Sequence, residues 1–212
     1  MIKRLRILTR RLLLIIVFLI AFSVVISTLY PLGYRDYINQ YSEEYGIDPF
    51  LIAAIINVES RYDREAVSPK DAKGLMQIGP KTGEWASQEL GIESYDESML
   101  FQPDVNIRIG AWYLNKLRGE FGDNLDLILA AYNGGSGNVQ KWRLDERYSK
   151  DGVNLDRIPF KETEEYVKKV KLNIKIYRTI YKEYIYKSDN ISSKYIDLIN
   201  YFKRYLKEYL RD

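Results

Sequence analysis

The chain holds 212 residues, 32 of them Lys or Arg and 29 Asp or Glu, with no His and no Cys. Those absences exclude Ser-His-Asp and Cys-His nucleophile systems, zinc sites of the usual His/Cys type, and any stabilising disulfide. Chemistry on this chain must come from carboxylates, Tyr, Lys, Ser/Thr or backbone groups, a set that suits carboxylate-driven glycoside cleavage.

Charge is unevenly distributed. Lys3, Arg4, Arg6, Arg10 and Arg11 fall within the first 30 residues, which contain no acid; beyond them stand 27 basic and 29 acidic residues, a net of −2. The basicity belongs to the N-terminal tail, and the remainder presents no electrostatic case for nucleic-acid binding. Leu12 to Leu29 carries no charge and is close to the roughly 20 residues that span a bilayer. Residues 1–11 therefore read as a basic cytoplasmic tail and 12–30 as a transmembrane anchor, which puts the chain from about Tyr30 onward outside as a single-pass protein. A cleaved signal peptide is the competing reading and would give a secreted domain. The Ala-x-Ala pattern is missing, Val25-Ile26-Ser27 is a weak substitute, and without Cys there is no lipoprotein anchor.

The rest reads as helical almost throughout. Tyr34, Tyr37, Ile38, Tyr41 and Tyr45 recur at helical spacing, and Gly46 stops that helix. Asp48-Pro49 reads as an N-cap followed by proline at the first helical position. The helix it opens carries Glu59, on one stripe with Ile52, Ile55 and Ile56. A carboxyl on an apolar stripe at a helix C-terminus should be hard to ionise, because burial and the helix dipole both disfavour its charge. Protonation near neutral pH is the property a general acid needs; the alternative is an ordinary helix-end Glu turned to solvent.

Residues 62–83 read as loops and short turns. A short helix follows at about 81–90, ended by Gly91. Asp104 is placed to cap the next, with Ile107, Ala111, Leu114, Leu117 and Phe121 on one face. A helix from about Leu125 to Asn133 stops at Gly134-Gly135, and residues 144–158 are polar and irregular. A long helix covers about 161–187, and Asn190 starts a last one with Tyr195, Leu198, Ile199, Phe202, Leu206 and Tyr209 on one face, expected to dock on the domain, with contact to a partner or to the membrane surface as the alternative. Trp85, Trp112 and Trp142 read mostly as core, with one of them a candidate for a sugar groove.

Four segments occur in a fixed order: Glu59-Ser60, Gly74-Leu-Met-Gln77, Ala131-Tyr-Asn-Gly-Gly135, and the run from Ile158-Pro-Phe to Val170. With the connecting Phe101-x-Pro-x-x-Asn-Ile segment, the set resembles the catalytic domain of the soluble lytic murein transglycosylases, the SLT or goose-type-lysozyme-like family, over roughly residues 40–172. The resemblance implies a mostly α, lysozyme-like helical domain; joined to the reading above it gives a catalytic domain over 31–190 behind one N-terminal transmembrane helix, with an amphipathic helix over 191–212 that lies outside the resemblance. It implies a membrane-anchored enzyme that cleaves peptidoglycan between N-acetylmuramic acid and N-acetylglucosamine and leaves 1,6-anhydro ends, with no metal and no cofactor. Carried over by position, Glu59 is the single acid/base. Ser60 lies beside the reacting sugar, Met76 and Gln77 line the glycan groove, Tyr132 and Asn133 hold the groove near Glu59, and Tyr166 places its hydroxyl at the reacting sugar.

Where the family usually has Gly, this chain has Asp71. A second carboxylate near the cleft would keep hydrolysis by water open; Asp is also favoured in turns. A non-catalytic peptidoglycan-binding scaffold stands as the other class. Glycan strands and the membrane, through residues 12–30, are the expected partners, and division, sporulation and secretion machinery all remain open.

Overall fold

The computed structural model describes residues 2–187 and 190–210. Its elements, in order, are α1 (Ile2–Leu29), α2 (Arg35–Tyr45), α3 (Pro49–Glu59), α4 (Pro80–Glu89), a 3₁₀ turn (Glu97–Phe101), α5 (Pro103–Phe121), α6 (Leu125–Gly134), α7 (Ser136–Arg143), α8 (Lys161–Tyr181) and α9 (Asn190–Tyr209). No named strand occurs among the described residues, only two isolated bridges, Val67 with Lys73 and Lys73 with Ile78.

The core is built around α3. Asp48 caps it, its carboxylate accepting from the Phe50 N–H at 2.9 Å, and every residue from Pro49 to Asn57 is buried. A helix apolar on all sides must be enclosed on all sides, and α2, α5 and α8 enclose this one. The inner stripe of α8, Thr163, Tyr166, Val167, Val170, Ile174 and Tyr177, lies against α3 and α6.

Several expectations need correction. Gln102, not Asp104, is the cap of α5; Pro103 fills the first position and Asp104 lies within the first turn, where its carboxylate accepts from the Tyr41 hydroxyl. Helix α8 ends at Tyr181 rather than near 187 and gives way to turns. Between Gly135 and the irregular segment, where the sequence suggests no element, stands a further helix, α7, seated on Val139 and Trp142. Trp112 and Trp142 are buried, but Trp85 is 43% exposed.

The largest correction concerns α9, whose apolar face does not dock. Tyr195, Leu198, Phe202, Leu206 and Tyr209 are all exposed. The opposite face, Ser193, Ile196, Asn200 and Arg204, meets the domain instead. Ser193 Oγ accepts from the Tyr34 N–H at 2.8 Å and Asn200 Nδ2 donates to the Tyr62 carbonyl at 3.1 Å. Arg204 pairs with Asp63 and with Glu65. Helix α1 is long and apolar enough to cross a membrane, over Thr9–Leu29, and buries nothing of that span within the protein.

Candidate active site

Glu59 closes α3, half-buried at its C-terminal end. Its pKa is raised to about 7, first because burial penalises the carboxylate. The Tyr166 hydroxyl opposes that rise and the negative charge of Glu162 adds to it. Both come from the first turns of α8, which the packing of α8 along α3 brings to Glu59. The Tyr166 hydroxyl is sealed from solvent, and its contact with Glu59 falls outside regular hydrogen-bond geometry. It is still near enough to lower the acid's pKa, and such contacts often tighten only when substrate is bound.

Tyr132, on α6, also lies within electrostatic reach of Glu59, and its own pKa is pushed well up by burial. Its hydroxyl donates to the Met76 carbonyl at 2.9 Å, tying α6 to the Gly74–Gln77 loop. Asn133, the next residue, accepts at Oδ1 from the Thr163 hydroxyl at 2.8 Å, tying α6 to α8. Glu59, Tyr132 and Tyr166 thus meet although α3, α6 and α8 are far apart in the chain.

The loop between α3 and α4 is held from inside. Asn106 of α5, fully buried, donates to the carbonyls of Lys73 and Leu100 at 2.9 and 2.7 Å and accepts from the Met76 N–H at 2.7 Å. Gly74 at φ +77° lies against that hub, and a Cβ there would come within 2.1 Å of the Leu100 carbonyl. Met76 does not line an open groove with its side chain. It is fully buried, seated on Gly110, where a Cβ would come within 2.3 Å of its sulfur; its contribution to the site is the backbone carbonyl that holds Tyr132. Gln77 is half-buried with φ +50°, an uncommon conformation for a side-chain-bearing residue. Its amide donates to the Gly74 and Ala66 carbonyls at 2.9 and 3.1 Å. Ser60 turns back on its own helix and donates to the Ile56 carbonyl at 3.1 Å.

Asp71 is a turn residue at φ +63°, its side chain 62% exposed and paired with Lys73 at 2.7 Å. Two features escaped the sequence. One is the charge of Glu162 beside Glu59, hidden by about 100 residues of separation. The other is an aromatic row, with Tyr132 next to Tyr113 (5.6 Å between centroids), Tyr113 next to Trp85 (6.3 Å), and Trp85 edge-on to Trp112 (4.7 Å). The row leads from the buried site to exposed Trp85. Among the described residues no cluster of His, Cys, Asp and Glu could hold a metal. Taken together, the arrangement is a half-enclosed carboxyl able to give and take a proton near neutral pH, flanked by neutral donors and acceptors.

Comparison with known proteins follows the same lines. A family model described as the transglycosylase SLT domain matches residues 36–154, and the chain belongs to that family. It is 33% identical over 166 residues to a soluble lytic murein transglycosylase of Salmonella typhimurium, covering 77% of this chain and 25% of that one. A membrane-bound lytic murein transglycosylase C of Edwardsiella ictaluri is 31% identical over 175 residues, covering 69% of this chain and 47% of the relative. Among solved structures, an inactive mutant of lytic transglycosylase Slt from Pseudomonas aeruginosa superposes with a TM-score of 0.66 at 34% identity, over 74% of this chain and 26% of that chain. The chain thus spans about a quarter of the soluble relative and about half of the membrane-bound one, and its fold is the mostly α, lysozyme-like SLT domain.

Proposed function

We propose that this chain is a membrane-anchored peptidoglycan lytic transglycosylase with Glu59 as its single acid/base. The observation that carries the reading is one carboxyl with a pKa near 7 at the meeting point of three family segments. Glu59, protonated, gives its proton to the glycosidic oxygen between N-acetylmuramic acid and N-acetylglucosamine as the bond to C1 breaks. The carboxylate then takes the proton of the muramic acid's own 6-hydroxyl as that oxygen bonds to C1. No water is consumed, Glu59 ends as it began, and a 1,6-anhydro end is left. A retaining hydrolase would need a second carboxylate about 5 Å away as nucleophile; here the substrate supplies the nucleophile. Asn133 and Gln77 are neutral groups suited to orienting the sugar and its developing charge, the buried Tyr166 hydroxyl acts on Glu59 itself, and Trp85 offers an exposed ring on which a further sugar can stack. The inactive Pseudomonas neighbour carries glutamine in place of a glutamate, which supports a glutamate-dependent reaction in the family. The relatives named as membrane-bound support α1 as an anchor, with the basic tail in the cytoplasm and the domain outside.

The test is digestion of purified peptidoglycan by the full chain, with released muropeptides read by mass spectrometry. Fragments one water lighter than reducing sugars are expected. Reducing-end products would mean that water attacks, and no fragments would mean a binding scaffold.

The neighbours of Glu59 give an expectation with two opposite signs. Tyr166→Phe removes the group that lowers the pKa of Glu59, so the alkaline limb of kcat/KM should move to higher pH while turnover falls. Glu162→Gln removes the charge that raises it, so the same limb should move to lower pH. Paired pH profiles check this, and shifts of one sign in both variants would contradict the assignment.

A further inference from the structure

Helix α9 carries two faces that differ in kind. The face that meets the domain does so largely through polar groups: Ser193 to Tyr34, Asp197 accepting from the Tyr34 hydroxyl at 2.5 Å, Asn200 to Tyr62, Arg204 to Asp63. The face turned away is apolar and aromatic. Leu198 is 52% exposed, Phe202 53%, Leu206 54% and Tyr209 70%, and their spacing puts them on one stripe with Tyr195. A soluble helix does the reverse, turning its apolar stripe to the core.

The chain also shows what lies beside that stripe. A cleft of about 530 Å³ is lined on one side by Ser23, Ile26 and Ser27 of α1 and on the other by Tyr195, Ile199 and Lys203 of α9. Helix α9 therefore flanks the end of α1 from which the domain emerges, and the apolar surface of α1 itself is uncovered along Leu12–Leu29. The medium that covers the outer end of α1 therefore borders α9 at Tyr195, where the stripe begins. Tyrosines with an apolar body and a polar tip stand along it, with Lys194, Lys203 and Lys207 exposed nearby. Amphipathic aromatic rings with lysines are the composition of a helix lying in the headgroup layer.

We infer that α9 is an interfacial helix that lies on the outer leaflet of the membrane crossed by α1, its Leu198–Phe202–Leu206 stripe in the lipid and its polar face holding the domain. This rests on the anchor reading of α1. The consequence for the site is geometric: α9 grips Tyr62 and Asp63, three and four residues after Glu59, so lipid contact fixes the height and tilt of the cleft above the bilayer.

Because the chain has no Cys, single cysteines can be placed at will. Full-length Phe202→Cys, Leu206→Cys, Phe18→Cys and Asp123→Cys would be spin-labelled in nanodiscs of phosphatidylcholine and phosphatidylglycerol. Collision with oxygen would be compared with collision with a water-soluble nickel chelate. The expected result is oxygen-dominated relaxation at 18, 202 and 206, deepest at 18, with nickel-dominated relaxation at 123. A lipid signal at 18 with an aqueous signal at 202 and 206 overturns the inference and leaves the anchor standing. An aqueous signal at 18 overturns both. Spin–spin broadening at 202 that disappears on dilution with unlabelled protein would assign the stripe to a second copy, and also overturns it.

Discussion

Replacing Glu59 with glutamine is expected to lower glycan cleavage by about 10³–10⁴-fold, the upper part of what a positioned acid/base contributes, while the fold survives. Glutamine fills the same volume but can neither give the first proton nor take the second. The muropeptide digestion checks this, and activity within about tenfold of the parent would remove Glu59 from its role. On the proposed mechanism the protonated acid starts the reaction, so kcat/KM should fall about tenfold per pH unit above a pKa near 7.

The same substitution should stabilise the protein, and the sign depends on pH. The folded pKa of about 7 lies above the ordinary value of 4.5, so between those two the folded state binds more protons than the unfolded state. Stability is then highest below about 4.5, falls as pH rises through that window, and is lowest above about 7. At pH 8 the buried carboxylate costs roughly 1–3 kcal/mol, the full shift being discounted because the group keeps some access to water. Glu59→Gln removes that cost, so it should melt several degrees above the parent at pH 8 and together with it at pH 4. Thermal unfolding of both chains at the two pH values decides the matter. Equal melting at pH 8 would mean that Glu59 is not held in a desolvating site. A residue that is worse for stability than its neutral isostere, kept at the centre of the site, is the signature of strain retained for chemistry.

The helices were legible where an apolar period met a clear stop. Asp48-Pro49 and Gly46 frame α3 and α2 because capping and positive φ are local physics. Helix α7 was hidden because Gly134-Gly135 reads as an end, and its eight residues offer only Val139 and Trp142 as buried contacts. The 3₁₀ turn at Glu97–Phe101 is too short to show a period. Helix α9 was seen, but its orientation was read backwards. Hydropathy assumes the apolar face is the docked one, whereas Asn200, Asp197 and Arg204 dock through hydrogen bonds that composition cannot weigh. At the site, the burial of Glu59 followed from its stripe, but its meeting with Tyr166 rested on family resemblance, since no local pattern joins positions more than 100 residues apart. The Gly74-Leu-Met-Gln77 motif does not say which part of Met76 is used, and the structure buries its side chain completely. The answer lies in Gly110, a residue on another helix.

Asn106→Ala should destabilise the protein by about 3–5 kcal/mol, far more than its modest place in the sequence suggests. The side chain is fully buried and uses both ends of its amide: two donations, to Lys73 and Leu100, and one acceptance, from Met76. Alanine leaves the Met76 N–H and the Leu100 carbonyl without the buried partner they had, and each orphaned group costs about 1–3 kcal/mol. Lys73 suffers less, because its carbonyl also accepts from the Ile78 N–H at 3.0 Å. The loss reaches the site through Met76, whose carbonyl is the acceptor for Tyr132; a shifted loop releases Tyr132 and opens the wall beside Glu59. Tyr132→Phe breaks that last bond alone and should cost only about 1 kcal/mol. Urea unfolding of the two variants separates the cases. If Asn106→Ala costs no more than Tyr132→Phe, the loop is held by its own turns, by Gln77 and by Gly74, and not from α5.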